Sequence, residues 1–198
     1  MLNMPYIPHL IAIGTSTGGP AALEIVLSGI PADFPASILV VQHMPSRFTS
    51  SFAKRLDGLV GLHVVEGKNL EPLQMGTVYI APGDYHMVVQ QQENGKLFLS
   101  TNKKPPRHGL RPSVDALFES MALIRHPSIS AMILTGMGSD GTKGLKKLKE
   151  RGIQAILAED ETTCAVFGMP RSAIQAGVVD KVVPIHEMAN QLLRCLNH

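Results

Sequence analysis

A chain of 198 residues is long enough for one α/β domain with a substantial core and too short for two domains of ordinary size. A formal charge of +2 and an aromatic content of 5% argue against nucleic-acid binding, which calls for a basic surface and rings that stack on bases. Cys164 and Cys195 lack C-x-x-C or metal spacing, no charged-then-apolar leader opens the chain, and no apolar run approaches about 18 residues. The expectation is therefore a cytoplasmic protein with no membrane insertion, no metal and no cofactor.

Residues Met1 to His9, with Pro5 and Pro8, read as a loose lead-in to a strand over Leu10 to Ile13. A turn of small residues follows, then a helix from Pro20 to Ser28 that stops at Gly29, in keeping with proline at helix starts and glycine after helix ends. Ser37 to Gln42 is apolar on consecutive positions, as a strand buried on both faces of a parallel sheet should be. A helix over Ser46 to Leu56 is expected to bury Phe48, Phe52, Ala53 and Leu56, and a strand follows at Leu62 to Val65.

Val78 to Ala81 is the next strand, and Tyr85 to Gln91 faces Leu97 to Ser100 across Asn94-Gly95, a strong hairpin signal. This antiparallel excursion is expected on the edge or end of an otherwise parallel sheet. A helix begins near Pro112-Ser113, buries Val114, Leu117, Phe118 and Met121, and ends at Pro127. The strand Ile129 to Leu134, a glycine turn and the basic helix Lys143 to Arg151 form a second strand, turn and helix unit. A strand at Ile153 to Ala158, a helix at Pro170 to Ala176, a strand at Lys181 to Val183 and a helix at Ile185 to Leu196 complete the chain. The fold class is α/β: a doubly wound, mostly parallel sheet with helices on both faces and one antiparallel hairpin.

Gly14-Thr15-Ser16-Thr17-Gly18 fits G-x-S-x-G, a strand-to-helix turn that exposes a serine and aims amide N–H groups at a substrate oxygen. The same pattern also serves as a plain structural turn. A serine becomes a useful nucleophile only beside a base that a third group orients. Among the histidines, His43 directly ends a buried strand next in sequence to that of Ser16, while His86 and His108 are rivals; His9, His63, His126, His186 and His198 sit at strand starts, helix ends or termini. For the orienting carboxylate, Asp140, Glu159 and Asp160 all follow strands, and position alone does not separate them. Asp140 is equally well placed to cap the helix that follows it. The lysines at 143, 146, 147 and 149 with Arg151 read as a solvated helix face around buried Leu145 and Leu148, and Cys164 has no adjacent base. Dinucleotide, P-loop and zinc-protease motifs are absent from the sequence.

Six short motifs in one order resemble the catalytic domain of the chemotaxis methylesterase family, CheB. They are Ser16-Thr17-Gly18-Gly19-Pro20, Gln42-His43-Met44-Pro45, Ala81-Pro82-Gly83-Asp84-Tyr85-His86, Arg111-Pro112-Ser113-Val114-Asp115, Thr135-Gly136-Met137-Gly138-Ser139-Asp140-Gly141 and Gly168-Met169-Pro170. The resemblance implies a triad of Ser16 as nucleophile, His43 as base and Asp140 as orienting group, with the Thr17 and Met137 N–H groups as oxyanion donors. It further implies demethylation of glutamyl methyl esters, and deamidation of glutamines, on the cytoplasmic helices of methyl-accepting chemoreceptors. The basic loop of Lys103, Lys104, Arg107 and Arg111, or the 143–151 helix, would then steer those acidic helices. Glu159 stands where the family commonly has Gln, and Cys164 where Ser is usual. The whole chain, 1–198, reads as one catalytic domain without the receiver domain that family members usually carry, either excised or stand-alone. Two other readings share the Ser16 turn: a serine esterase for small-molecule esters, and a non-enzymatic module binding an anion through backbone N–H groups.

Overall fold

The computed structural model of the protein describes residues 7–196; the lead-in at residues 1–6 and His198 lie outside the described residues. The elements in chain order are β1 (His9–Thr15), α1 (Gly19–Ser28), β2 (Ala36–Gln42), α2 (Ser46–Asp57), β3 (His63–Glu66), β4 (Thr77–Ile80), β5 (His86–Gln91), β6 (Leu97–Asn102), α3 (Val114–Leu123), β7 (Ile129–Ile133), α4 (Thr142–Arg151), β8 (Ala155–Glu159), α5 (Met169–Gln175), β9 (Lys181–Val183) and α6 (Ile185–Leu196). Seven strands form one sheet in the order β3-β4-β2-β1-β7-β8-β9. All of its pairings are parallel. The strand order reverses at β1: the early strands fill one side, and the chain then returns to lay β7 against the other. In open α/β sheets the crevice at such a reversal, beyond the carboxyl ends of the strands, is the customary ligand site.

Strict alternation along the central strands divides the core in two. Ile11 and Ile13 of β1, with Ile38 and Val40 of β2, pack under α1, α2 and α6. Leu10 and Ala12, with Leu39 and Val41, pack under α3, α4 and α5. Both faces being covered explains the apolar runs Ile38 to Val41 of β2 and Ala131 to Ile133 of β7, and every residue of both strands is buried.

Three expectations are corrected. Phe48 is 45% exposed, and Thr49 takes the buried place on α2 instead, so the inward stripe is Thr49, Phe52, Ala53 and Leu56. The spacing is helical in either case, but Thr49 has polar partners inside, donating to the Ser46 carbonyl and the Glu66 carboxylate. The β5–β6 hairpin forms its own two-stranded sheet rather than an edge of the large one. Its Met87, Val89, Leu97 and Leu99 belong to the core beneath α3, and the Val89 N–H donates to Ser120 Oγ of that helix at 3.0 Å. Lastly, α3 stops at Leu123, ahead of Pro127. Its exposed end is closed by Arg151, whose guanidinium donates to the carbonyls of Ile124 and His126 at 2.6 and 3.2 Å. Other boundaries move by one or two residues, the ordinary uncertainty of helix and strand ends.

The two phenylalanines of α2 should therefore differ sharply. In urea denaturation Phe52→Ala should cost about 3–5 kcal/mol, the usual penalty for emptying a buried aromatic site. Phe48→Ala, which removes only a ring with Arg47 stacked 4.7 Å from its centroid, should cost under about 1 kcal/mol.

Candidate active site

The carboxyl ends of β2, β1 and β7 lie side by side and deliver His43, Ser16 and the 135–141 turn to one place. The β1–β2 ladder pairs Thr15 with Gln42 and runs one step further, His43 N–H donating to Thr15 O at 3.1 Å. Ser16 and His43 thus occupy the next positions on adjacent strands, where backbones run about 4.7–4.9 Å apart. On the other flank the Ser16 N–H donates to Thr135 O at 3.0 Å. The approach is close enough that a Cβ on Gly136 would lie 2.8 Å from Ser16 Cβ and 2.4 Å from Met169 Sδ, so only glycine fits there without displacement.

His43 Nε2 and Asp140 Oδ2 are 2.7 Å apart, with side chains 9% and 1% exposed. Asp140 is not the cap of its own helix. Its carboxylate turns to the N-terminus of α3, accepting from the N–H groups of Val114 and Asp115 at 2.7 and 3.0 Å and from Ser113 Oγ at 2.8 Å. Asp115 returns the contact, accepting from Gly141 N–H and Gly144 N–H at the start of α4 at 3.0 and 2.7 Å. Each helix N-terminus, with its unsatisfied donors and positive dipole end, therefore holds a carboxylate supplied by the other segment.

The two carboxylates titrate in opposite directions. Burial by itself would raise Asp140, but the His43 hydrogen bond, the Asp115 and Val114 N–H groups and the Ser113 hydroxyl together hold it below the ordinary range. For Asp115 burial wins: despite the Gly144 and Gly141 N–H groups, desolvation and the neighbouring Asp140 charge push its carboxyl up.

A buried His–Asp pair beside a serine turn invites comparison with known proteins. The CheB methylesterase family model matches residues 11–192. The chain is 53% identical over 187 residues to the protein-glutamate methylesterase/protein-glutamine glutaminase of Geobacillus kaustophilus, covering 94% of this chain and 53% of that protein. It is 42% identical over 191 residues to one from Methanosarcina mazei, covering 94% and 51%. The chain belongs to the CheB methylesterase family. It superposes on the crystal structure of the Thermotoga maritima CheB methylesterase catalytic domain with a TM-score of 0.90 at 45% identity, covering 94% of this chain and 97% of that one. The chain spans about half the length of the curated relatives it matches.

Within this CheB domain the other sequence candidates have structural roles. His86 is 2% exposed; its Nδ1 accepts from Ser113 N–H at 3.2 Å and its Nε2 lies 3.1 Å from Pro105 O. Burial, more than any neighbour, lowers its pKa. His108 is exposed. Glu159 lies under the 135 turn, accepting from Thr135 N–H at 2.8 Å and Thr163 Oγ1 at 3.1 Å, and Asp160 accepts from Thr162. Burial and the nearby Glu159 push the Cys164 thiol up to about 12, the reverse of an activated nucleophile. Several of the cations considered for steering are engaged internally. Arg107 and Lys147 share Glu119 at 2.7 and 3.2 Å, Arg111 donates to the carbonyls of Lys103 and Lys104, and Lys149 pairs with Asp180.

The Thr17 and Met137 N–H groups both lack an acceptor among the described residues, and Met137 is 74% exposed. Ser16 Oγ and His43 Nδ1 likewise make no hydrogen bond among those residues. Sequence reasoning missed Ser113, Asp115, Gln42 and Thr135 as members of the site. Ser113 had a readable signal as the N-cap of α3. Asp115 had none, because its partners lie on another helix.

A depressed native pKa contributes stability that is fully present above the unfolded value and is lost as pH falls through the native one. Asp140 should thus support the fold above about pH 4 and progressively less below it. Denaturant titrations from pH 6 to pH 3 should show the stability gap between wild type and Asp140→Asn closing as the medium becomes acid. Asp115, with its raised pKa, contributes in the opposite sense, and Asp115→Asn should not narrow its own gap in that way.

Proposed function

We propose that this chain hydrolyses glutamyl methyl esters, and deamidates glutamines, on the cytoplasmic helices of chemoreceptors; the reading is supported by its similarity to proteins named protein-glutamate methylesterase/protein-glutamine glutaminase. The observation that carries the reading is the 2.7 Å His43–Asp140 contact at the strand end beside Ser16. With Nε2 committed to Asp140, Nδ1 is the ring nitrogen available to Ser16 Oγ. The imidazole takes the serine proton as Oγ attacks the ester carbonyl, and the Asp140 charge stabilises the resulting imidazolium. That charge is already held by three donors besides the imidazole, Val114 N–H, Asp115 N–H and Ser113 Oγ–H at the start of α3, and His43 Nε2–H is the fourth.

The oxyanion that forms takes hydrogen bonds from the Thr17 and Met137 N–H groups. The tetrahedral adduct collapses as the imidazolium returns its proton to the departing methoxide, releasing methanol and leaving a glutamyl ester on Ser16. Water, deprotonated by the same nitrogen, then frees the glutamate side chain. A glutamine substrate follows the same path with ammonia as leaving group. The reading extends to a cytoplasmic setting; among the described residues no helix is long and apolar enough to cross a membrane. A receiver domain is a further proposed partner, in line with the greater length of the relatives.

Ser16→Ala and His43→Ala should each lower methanol release from a methyl-esterified receptor fragment by at least about 10⁴, and the double variant should be no worse than either, as for residues that act as a unit. Near-normal turnover by Ser16→Ala would sink the triad. Equal turnover of short esters and receptor fragment would instead favour a small-molecule esterase.

A further inference from the structure

Gln42, the last residue of β2, is 3% exposed, and its side-chain amide nitrogen donates twice: to Ser16 O at 2.9 Å and to His43 O at 3.0 Å. The Ser16 carbonyl accepts a second bond from Gly19 N–H at 2.9 Å. Its orientation is therefore set from two sides. The Ser16 carbonyl and the Thr17 N–H belong to one planar trans peptide unit and point in opposite directions. Holding the carbonyl inward against Gln42 and Gly19 turns the Thr17 N–H outward, where it has no acceptor among the described residues.

The other end of the amide sharpens the point. Gln42 Oε1 is buried without a hydrogen-bond partner among the described residues and faces Gly19, where an added Cβ would lie 1.8 Å from it. A methionine of similar length would fill the space without a desolvated oxygen, so packing alone does not account for an amide here. What the amide supplies is the pair of N–H bonds to the carbonyls of the nucleophile and of the base.

We propose that Gln42 is a positioning residue that presets the oxyanion site by fixing the Ser16–Thr17 peptide plane. The inference rests on Ser16 being the nucleophile. It gives Gly19 a matching role: its φ is not in the left-handed region, so the requirement for glycine is one of room for the Gln42 amide and for Thr15 Oγ1, 2.6 Å from the same Cβ position.

Gln42→Met should lower kcat on the methyl-esterified receptor fragment by about 10- to 100-fold, somewhat less than the loss of an oxyanion donor outright. KM should stay within about threefold. Affinity for an alkylboronic acid, whose adduct with serine is tetrahedral, should fall in parallel with kcat. Gly19→Ala, which expels the amide by a second route, should reproduce the defect, and in a Gln42→Ala background it should add little. This pair keeps the test decisive if Gln42→Met folds poorly. A kcat within twofold of wild type in both Gln42→Met and Gly19→Ala would overturn the proposal. An inactive wild type would instead defeat the methylesterase reading. In that event the Thr17 amide ¹H–¹⁵N resonance still decides: unmoved by Gln42→Met, it removes Gln42 from control of that peptide.

Discussion

Everything at the candidate site depends on where the negative charge of Asp140 is kept. A carboxylate that is 1% exposed would be costly to ionise without compensation, and the compensation comes from the start of a helix distant in sequence. The N–H groups of Val114 and Asp115 and the Ser113 hydroxyl hold it, and His43 meets its remaining face. Because Asp115 simultaneously accepts from the first turn of α4, the two helices are tied start to start. The same contacts that hold α3 against α4 therefore orient the imidazole, so fold stability and the geometry of the His43–Asp140 pair share one set of bonds.

The serine side of the site is held by backbone carbonyls instead of charge. Thr135 reaches across from the end of β7: its carbonyl accepts from Ser16 N–H and Thr15 Oγ1, and its own hydroxyl donates to Thr17 O at 2.9 Å. Gln42 does the equivalent from β2. Beneath Thr135, the buried Glu159 accepts its N–H. Burial raises the Glu159 carboxyl, whose two oxygens accept separately, Oε2 from Thr135 N–H and Oε1 from Thr163 Oγ1.

Much of this was legible from residue pattern. The unbroken apolar runs at Leu10 to Ile13 and Ile38 to Val41 announced buried parallel strands, and the apolar spacing of Val114, Leu117, Phe118 and Met121 announced α3, all four of which are fully buried. Short-range chemistry was equally readable: Asn94-Gly95 closes the β5–β6 hairpin, with Gly95 at φ 84°. The reading faltered where two patterns fit one stretch. On α2, Phe48 and Thr49 both continue a helical stripe, and hydrophobicity favoured the phenylalanine; the Ser46 carbonyl and the Glu66 carboxylate decided for the threonine. The hairpin was recognisable, but its seat on the core beneath α3 depends on a surface assembled from distant segments.

Sequence by itself determined the parallel α/β architecture, the family, and the strand ends on which Ser16, His43 and Asp140 stand, because these follow from local periodicity, turn chemistry and motif order. Tertiary structure alone decided what each of those residues touches. An aspartate just before a helix reads locally as that helix's own cap, yet Asp140 turns to another helix, since the donors at the start of α3 are brought beside it by the return of the chain across β1. A glutamine ending a buried strand carries no local sign of its partners, and only the register of β1 against β2 puts the Gln42 amide on the Ser16 and His43 carbonyls. Hydrogen bonds between segments about 25 to 120 residues apart depend on register and crossover, which no window of neighbouring residues encodes.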